Sequence, residues 1–244
     1  MYSFTIKIAD INIGIETIHV RPLAICRDYI IKESESPEIL IRIKQEDIDL
    51  DRTEYISARG YCEKWDGYLE VYTVLKKVAD SLIDYGAFLL HGAAICVDNG
   101  AIVFVGNSGI GKTTHIKKWL TQLPDAYVIN GDKPFIKTGD TPMVCGSPWA
   151  GKENMYRNTM IPLKAIVIME RNEENKIQRI SFANAFIDLF QQIYRPDNAD
   201  KMNATLNLLK SLDDCVHFYR YQFNNYKQDC FDIAYDTLSK DCIM

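Results

Sequence analysis

A glycine-rich segment near the middle of the chain has the residue types and spacing that bind phosphate. It fits the pattern G-x-x-x-x-G-K-[ST] at every position, as Gly106-Asn107-Ser108-Gly109-Ile110-Gly111-Lys112-Thr113. The glycines let backbone N–H groups converge on a phosphate, and a helix that begins after the loop adds the positive end of its dipole. Lys112 can then reach the outer phosphates, and the Thr113 hydroxyl can ligate Mg²⁺. We therefore expect residues 106–113, with Thr114 beside them, to bind nucleotide phosphates.

The sequence on either side of this segment supports the same interpretation. Residues 102–105 form an apolar run typical of a buried strand, and a helix is predicted from about residue 113 to 123. A strand before and a helix after are the context that the pattern requires, and they argue against a chance glycine-rich turn. The Asn-Lys-x-Asp pattern that recognises guanine is absent, because Asn175-Lys176-Ile177-Gln178 has no acid at its end.

An acid directly after the next short apolar strand is the second candidate. Residues 128–130 lead into Gly131-Asp132-Lys133-Pro134, and Asp132 stands where a Mg²⁺ contact or a catalytic base would stand beside a phosphate loop. Taken alone, Gly-Asp-x-Pro is ordinary turn chemistry. A third candidate is His91, which lies in an apolar strand fifteen positions before Gly106. A lone histidine of this kind is more often a core residue.

The three segments together resemble the HPr kinase/phosphorylase family, which shares a P-loop core with the phosphoenolpyruvate carboxykinases. In that family a His-Gly pair opens a strand, the phosphate loop follows at this spacing, and an acidic motif comes after the next strand. The resemblance covers about residues 86–170. It implies that His91 and Asp132 stand at a phosphoryl-transfer centre that uses ATP and Mg²⁺.

A fourth segment, residues 146–154, resembles the Pro-Trp-x-Gly-Lys stretch of shorter, diverged HPr kinase-like proteins. Some of those proteins are associated with peptide natural-product gene clusters, where they phosphorylate a Ser of a precursor peptide. Trp149 offers a flat face and Lys152 a phosphate or carboxylate contact, and Glu153 and Arg157 complete the candidate substrate contacts. An ordinary surface loop anchored by its Trp is the alternative.

The sequence also departs from the family at two places. HPr kinases carry adjacent aspartates in the acidic motif, whereas this chain has Gly131-Asp132, so one acid is missing or is supplied elsewhere, with Glu153 as the candidate. The later motif linked to the reverse, phosphorolytic reaction is not recognisable either. A kinase for another substrate is therefore favoured over a dedicated HPr kinase/phosphorylase, and the chain is too short for a full phosphoenolpyruvate carboxykinase.

The leading hypothesis is an ATP- and Mg²⁺-dependent kinase that phosphorylates a hydroxyl, with a Ser of a protein or peptide as the favoured acceptor. Asp132 would take the hydroxyl proton or hold the metal, and His91 would orient Asp132 or polarise the acceptor. A nucleotide-binding accessory protein without turnover is the first alternative, because one acid is missing. A small-molecule kinase is the second.

Several elements must position these residues. Residues 1–65 show strand patterns and predict an antiparallel β layer, with a polar turn at 33–37, and residues 68–85 have helical spacing. We predict an α/β fold in which a mixed sheet with flanking helices carries the phosphate loop, and one domain over 1–244, with the β layer at 1–67 and the core at 68–244. On the helix after the loop, we expect His115, Lys117 and Lys118 on a solvated face and Trp119 in the core.

Composition limits the classes of protein to which the chain can belong. The chain has 244 residues, 47% of them hydrophobic, and a net charge of −5 without a Lys/Arg-rich block, so a nucleic-acid partner is disfavoured. Seven cysteines without C-x-x-C spacing argue against a disulfide framework and a zinc knuckle. The sequence contains no run of about 18 apolar residues, so we predict no membrane span. The N-terminus lacks a signal-peptide pattern. We expect a cytoplasmic protein; a homo-oligomer stays open.

Overall fold

The computed structural model describes residues 1–32, 36–224, 226–227 and 229–240. Residues 33–35 of the turn predicted at 33–37 lie outside the described residues. Cys242, one of the seven cysteines, also lies outside them. The chain divides into two compact units, Met1–Tyr85 and Gly86–Met244. The expectation of one domain over 1–244 stays a prediction.

The first unit contains a small sheet and three α-helices in its described part. Its elements are β1 (Tyr2–Ile8), β2 (Ile11–Thr17), α1 (Arg21–Ile25), β3 (Ile39–Arg42), α2 (Gln45–Arg59) and α3 (Asp66–Leu82). β1 pairs with β2 in antiparallel orientation, but β3 runs parallel to β2. The prediction of a purely antiparallel layer is therefore wrong at β3.

The helix α2 is a second departure from the sequence-based prediction, which placed only strands before residue 66. The Asp47 side chain accepts a hydrogen bond from the Lys44 N–H at 2.9 Å at the start of the helix. Gly60, at a φ of +82°, ends it in the left-handed region that glycine tolerates. Ile48 is its only buried apolar residue, so the apolar periodicity that signals a helix is almost missing.

The second unit is built on one large mixed sheet. Its elements are β4 (Ala87–Leu89), β5 (Gly92–Val97), β6 (Gly100–Val105), α4 (Lys112–Gln122), β7 (Tyr127–Asn130), β8 (Phe135–Lys137), β9 (Met143–Cys145), β10 (Met160–Arg171), β11 (Lys176–Ile180), α5 (Phe182–Gln192), α6 (Ala199–Lys210), β12 (His217–Phe223) and α7 (Cys230–Leu238). Seven strands lie in the order β4-β8-β9-β10-β6-β5-β7, and β12 pairs with both β10 and β11. β6, β10 and β12 are parallel. The predicted α/β fold with flanking helices is confirmed.

Both faces of the central strands are buried, which explains their continuous apolar runs. Val103 and Ile166 pack on one face with residues of α5 and α6. Phe104 and Val167 pack on the other face with residues of α4 and α7. Because β6 is held between β5 and β10 and covered on both faces, the loop that follows it leaves from a rigid strand end.

Candidate functional site

Residues 106–111 connect the end of β6 to the start of α4 through three glycines. Gly106, Gly109 and Gly111 have φ angles of +147°, +77° and +116°, which side-chain-bearing residues rarely adopt. At Gly106 a Cβ atom would also lie 3.0 Å from the Met169 carbonyl oxygen. Ile110 packs against the core cluster beneath the loop. The segment thus forms a strand–loop–helix turn that requires its glycines.

Lys112 lies folded against the loop that precedes it. Its Nζ donates a 2.7 Å hydrogen bond to the Gly106 carbonyl and a 3.5 Å one to the Asn107 carbonyl. The residue is buried, and this burial lowers the pKa of its ammonium group. A partly desolvated cation with carbonyl partners is well suited to exchange them for phosphate oxygens, because charge interacts more strongly where water is excluded.

Arg171 is a second cation on the loop, and sequence reasoning did not find it. Its Nη2 donates to the Gly109 carbonyl at 2.7 Å and its Nε to the Ile110 carbonyl at 3.2 Å. Arg171 ends β10, which pairs in parallel with β6. The contact joins residues about sixty positions apart, so no local pattern announces it. Arg171 therefore supports the shape of the loop from the neighbouring strand.

Asp132 is positioned by a hydrogen-bonded turn at the end of β7. The buried Asn130 side chain accepts from the N–H groups of Asp132 and Lys133 at 2.8 and 2.6 Å, which is an Asx turn. The amide of Asn130 donates to the carbonyl and hydroxyl oxygens of Ser147 at 2.9 and 3.0 Å. The turn predicted by Gly131-Asp132 is thus present, and it holds the carboxylate on a fixed base.

His91 and Asp132 are neighbours. Nε2 of His91 lies 3.2 Å from Oδ1 of Asp132, and the Gly92 N–H donates to the Asp132 carbonyl at 3.0 Å. The His91 N–H donates to the carbonyl of Gln192, the last residue of α5, at 2.7 Å. Backbone bonds on both sides therefore fix the distance between the imidazole and the carboxylate.

The environment of Asp132 favours its ionised form. Burial alone raises the pKa of the carboxyl, but the hydrogen bond with His91 and the nearby charges of Lys133 and Lys112 outweigh it, so the pKa lies below its usual value. Nζ of Lys133 lies 3.8 Å from Oδ2. Asp132 is consequently a carboxylate at neutral pH.

Ser108, Gly109 and Gly111 of the loop, the helix start, His91 and Asp132 line one cleft of about 510 Å³. Gly106, Asn107 and Ile110 line a second pocket instead, together with Arg171. The lining residues are His91, Ser108, Gly109, Gly111, Lys112, Thr113, Thr114, Gly131, Asp132, Ala150, Gly151, Lys152 and Glu153. Glu153, the candidate second acid, forms an ion pair with Lys117 at 2.8 Å. The structure therefore brings candidate residues from four separate segments to one place.

Two predicted substrate residues are not among the cleft lining. Trp149 is only 7% exposed, so its ring does not offer the expected open face, and its backbone N–H donates to the Ser147 hydroxyl at 3.3 Å. Arg157 lies over the ring of Tyr127, with 4.1 Å from its Cζ to the ring centre. Trp149 anchors the segment that carries Lys152 and Glu153, which matches the anchoring alternative.

The expectation of a fully solvated face on α4 is wrong at His115. The residue is fully buried, and its Nε2 accepts a 3.0 Å hydrogen bond from Nε1 of Trp119. Its ring packs against Phe104 and Tyr221. Lys117 is exposed and Trp119 is in the core, as predicted. The four-residue spacing of His115 and Trp119 places both on the inner face of the helix.

Oxygen donors suited to Mg²⁺ occur in the cleft at Thr113 and Asp132. Within the described ranges, no group of three or more His, Cys, Asp or Glu side chains is arranged to hold a metal ion by itself. A Mg²⁺ ion that arrives with a nucleotide needs only one or two protein ligands, because phosphates and water supply the rest. The donor set therefore fits a nucleotide-bound Mg²⁺.

Comparisons with known proteins give little beyond this geometry. No family model matches the sequence, and no curated protein matches it. Among solved structures, an Hpr(Ser) kinase/phosphatase from Coxiella burnetii is similar over 62% of this chain and 91% of its own, with 8% identity and a TM-score of 0.38. A likeness this weak carries no functional weight. No helix in the described part of the chain is long and apolar enough to cross a membrane.

Proposed function

We propose that this protein transfers the terminal phosphoryl group of ATP to a hydroxyl group, with a Ser of a protein or peptide as the favoured acceptor. One observation carries the proposal: a glycine-dependent phosphate loop with a buried Lys112 lines the same cleft as the paired His91 and Asp132. A phosphate-binding element alone would indicate a nucleotide site. A carboxylate held beside it supplies what transfer to a hydroxyl requires.

The loop and Lys112 would bind and neutralise the phosphates. The N–H groups of residues 107–112 would donate to phosphate oxygens at the start of α4, where the helix dipole favours negative charge. Lys112 would exchange its bonds to the loop carbonyls for bonds to the outer phosphates. Thr113 would ligate Mg²⁺, and Asp132 would either join it as a metal ligand or act as the base. When bound, Mg²⁺ supplies further neutralisation of the phosphate charge.

Asp132 would accept the proton of the acceptor hydroxyl as the new oxygen–phosphorus bond forms and the bond to the leaving ADP breaks. Its lowered pKa makes it a weak base, but a weak base is sufficient because the transition state of phosphoryl transfer is loose and the hydroxyl loses its proton late. His91 would keep the carboxylate aimed at the acceptor, since its own backbone is tied to Gln192.

The alternative of a nucleotide-binding protein without turnover rests on the single acid of Gly131-Asp132. Glu153 lies in the cleft but is paired with Lys117. If a second carboxylate is indispensable and Glu153 stays paired, nucleotide would bind and no transfer would follow.

The test is incubation with γ-labelled ATP, Mg²⁺ and an array of Ser-containing peptides, with small hydroxyl compounds in parallel. Asp132→Asn should lower transfer by about 100-fold or more while nucleotide binding persists, and Lys112→Ala should weaken nucleotide binding. Lys210→Ala, at an exposed lysine of α6 that does not line the cleft, is the matched control and should retain binding. Tight nucleotide binding without transfer to any acceptor supports the accessory protein; transfer to small compounds alone supports the small-molecule kinase.

A further inference from the structure

A continuous series of cations and aromatic rings crosses the surface of the first unit. In order of contact its members are Arg59, Tyr55, Lys64, Tyr68, Arg21 and Trp65. Each cation lies over one or two ring faces, at 4.3 to 5.9 Å from the charged group to the ring centre. Lys64 lies between two tyrosine rings, and Arg21 spans a tyrosine and the tryptophan. We call these six residues the cation–aromatic ladder.

The fold holds the cation–aromatic ladder in place. Trp65 directly precedes α3, and a Cβ atom at Gly67 would lie 2.0 Å from its ring, so the indole rests against bare backbone. His19 meets the indole edge-on, at 5.9 Å between ring centres. Arg52 donates to the Lys64 carbonyl at 2.9 Å and fixes the connection between α2 and α3. The ladder is therefore a built surface and not a chance meeting of long side chains.

The charges of the ladder are not neutralised by the described residues of the unit. Other cations of this unit form ion pairs, such as Arg27 with Asp28 and Arg42 with Glu16. Arg21, Arg59 and Lys64 have no carboxylate partner among the residues that the structure describes. This contrast is notable because residues 1–85 contain 11 basic and 16 acidic residues. The ladder is thus a local cationic strip on an acidic unit.

The aromatic members remain partly open to solvent. Trp65 is 54% exposed and Tyr68 is 42% exposed, and Tyr61, in the same connection, is 65% exposed. Trp, Tyr and Arg are the residues that most often dominate the binding energy of protein interfaces. An exposed group of these three types with uncompensated positive charge fits a partner that offers carboxylates and apolar surface together.

We propose that the cation–aromatic ladder is the docking surface for a short acidic peptide segment of a partner protein. The guanidinium groups of Arg21 and Arg59 would bind its carboxylates in bidentate geometry, and the exposed faces of Trp65 and Tyr68 would cover its apolar side chains. A nucleic acid fits less well, because its long phosphate backbone would also meet the acidic remainder of the unit. The proposal is independent of phosphoryl transfer.

The test measures binding of the full chain to fluorescently labelled peptides of about 12 residues, using fluorescence anisotropy. The probes are a set of acidic peptides with one aromatic residue, the same peptides with Lys in place of each acid, and an oligothymidylate. The acidic set should contain members that bind, and the Lys set should not. Arg21→Gln should weaken that binding about fivefold or more, the loss of roughly 1 kcal/mol.

Arg27→Gln is the matched control, because Arg27 is an exposed arginine of the same unit outside the ladder. It should leave the affinity within about twofold. Should Arg21→Gln fail to fold by circular dichroism, Arg59→Gln at the other end of the ladder takes its place. Equal losses in ladder and control variants, no binding by any acidic peptide, or tighter binding of the oligothymidylate would each overturn the proposal.

Discussion

Acid should destabilise the second unit through His115, the buried histidine on the helix after the phosphate loop. Its Nε2 is occupied by Trp119 and, among the described residues, its Nδ1 has no hydrogen-bond partner. Burial, with a smaller effect from the charge of Lys118, lowers the pKa of its imidazole from 6.5 to about 3. A proton added to this ring would place an unpaired charge among aromatic side chains.

The sign and the size of the effect follow from proton linkage. In the unfolded chain the histidine is protonated below pH 6.5, whereas the folded His115 stays neutral down to about pH 3. The unfolded state therefore binds more protons in this window, and stability falls as the pH falls. At pH 5 the loss amounts to about 2 kcal/mol, and any native pKa below about 4 gives nearly the same value.

The assay is urea denaturation near pH 7.5 and near pH 5, applied to the wild type and to His115→Gln, which cannot titrate there. The drop in unfolding free energy should be about 2 kcal/mol larger in the wild type than in the variant. An NMR titration of the ring should show no protonation above about pH 4. Equal pH dependence in both proteins, or a native titration midpoint near 6.5, would show that burial of His115 does not cause the acid destabilisation.

Three further predictions concern the site. Gly151 has a φ of +74°, and a Cβ added there would lie 3.0 Å from Cβ of Asp132. Gly151→Ala should therefore slow transfer about tenfold and lower the unfolding free energy by about 1–2 kcal/mol. Gly60→Ala is the control, because Gly60 has a φ of +82° in open space and should show only the backbone cost in urea denaturation. Arg171→Gln loses two bonds to the phosphate loop and should raise the nucleotide Kd about fivefold in calorimetric titration. EDTA should abolish transfer, and added Mg²⁺ should restore it.

The loop at residues 106–111 was accessible to sequence reasoning because its structure is local. Three glycines, a preceding apolar strand and a following helix specify the turn within about twenty residues, and the structure forms that turn at 106–111. The turn at Gly131-Asp132 is local in the same sense. The proximity of Asp132 to His91 depends on a contact between distant segments, and only the resemblance to a kinase family predicted that these two residues lie together.

Other parts of the molecule could not be predicted because the deciding contacts are distant or weakly patterned. Arg171 reaches the loop only through the parallel pairing of β10 with β6, a register that the sequence does not state. The helix α2 buries a single apolar residue, so its caps were the only signals. The sequence suggested that His115 faces solvent, because two lysines follow it. Its four-residue spacing from Trp119 instead places it on the inner face of the helix, in an aromatic cluster.

The central claim is that residues 106–113 hold the phosphates of a nucleotide beside Asp132. A crystal structure of the protein with Mg²⁺ and a non-hydrolysable ATP analogue tests it most directly. We expect phosphates against the loop N–H groups and Lys112, a metal ion at Thr113, and the terminal phosphate on the side of His91 and Asp132. Phosphates bound elsewhere on the protein, with the loop empty, would contradict it.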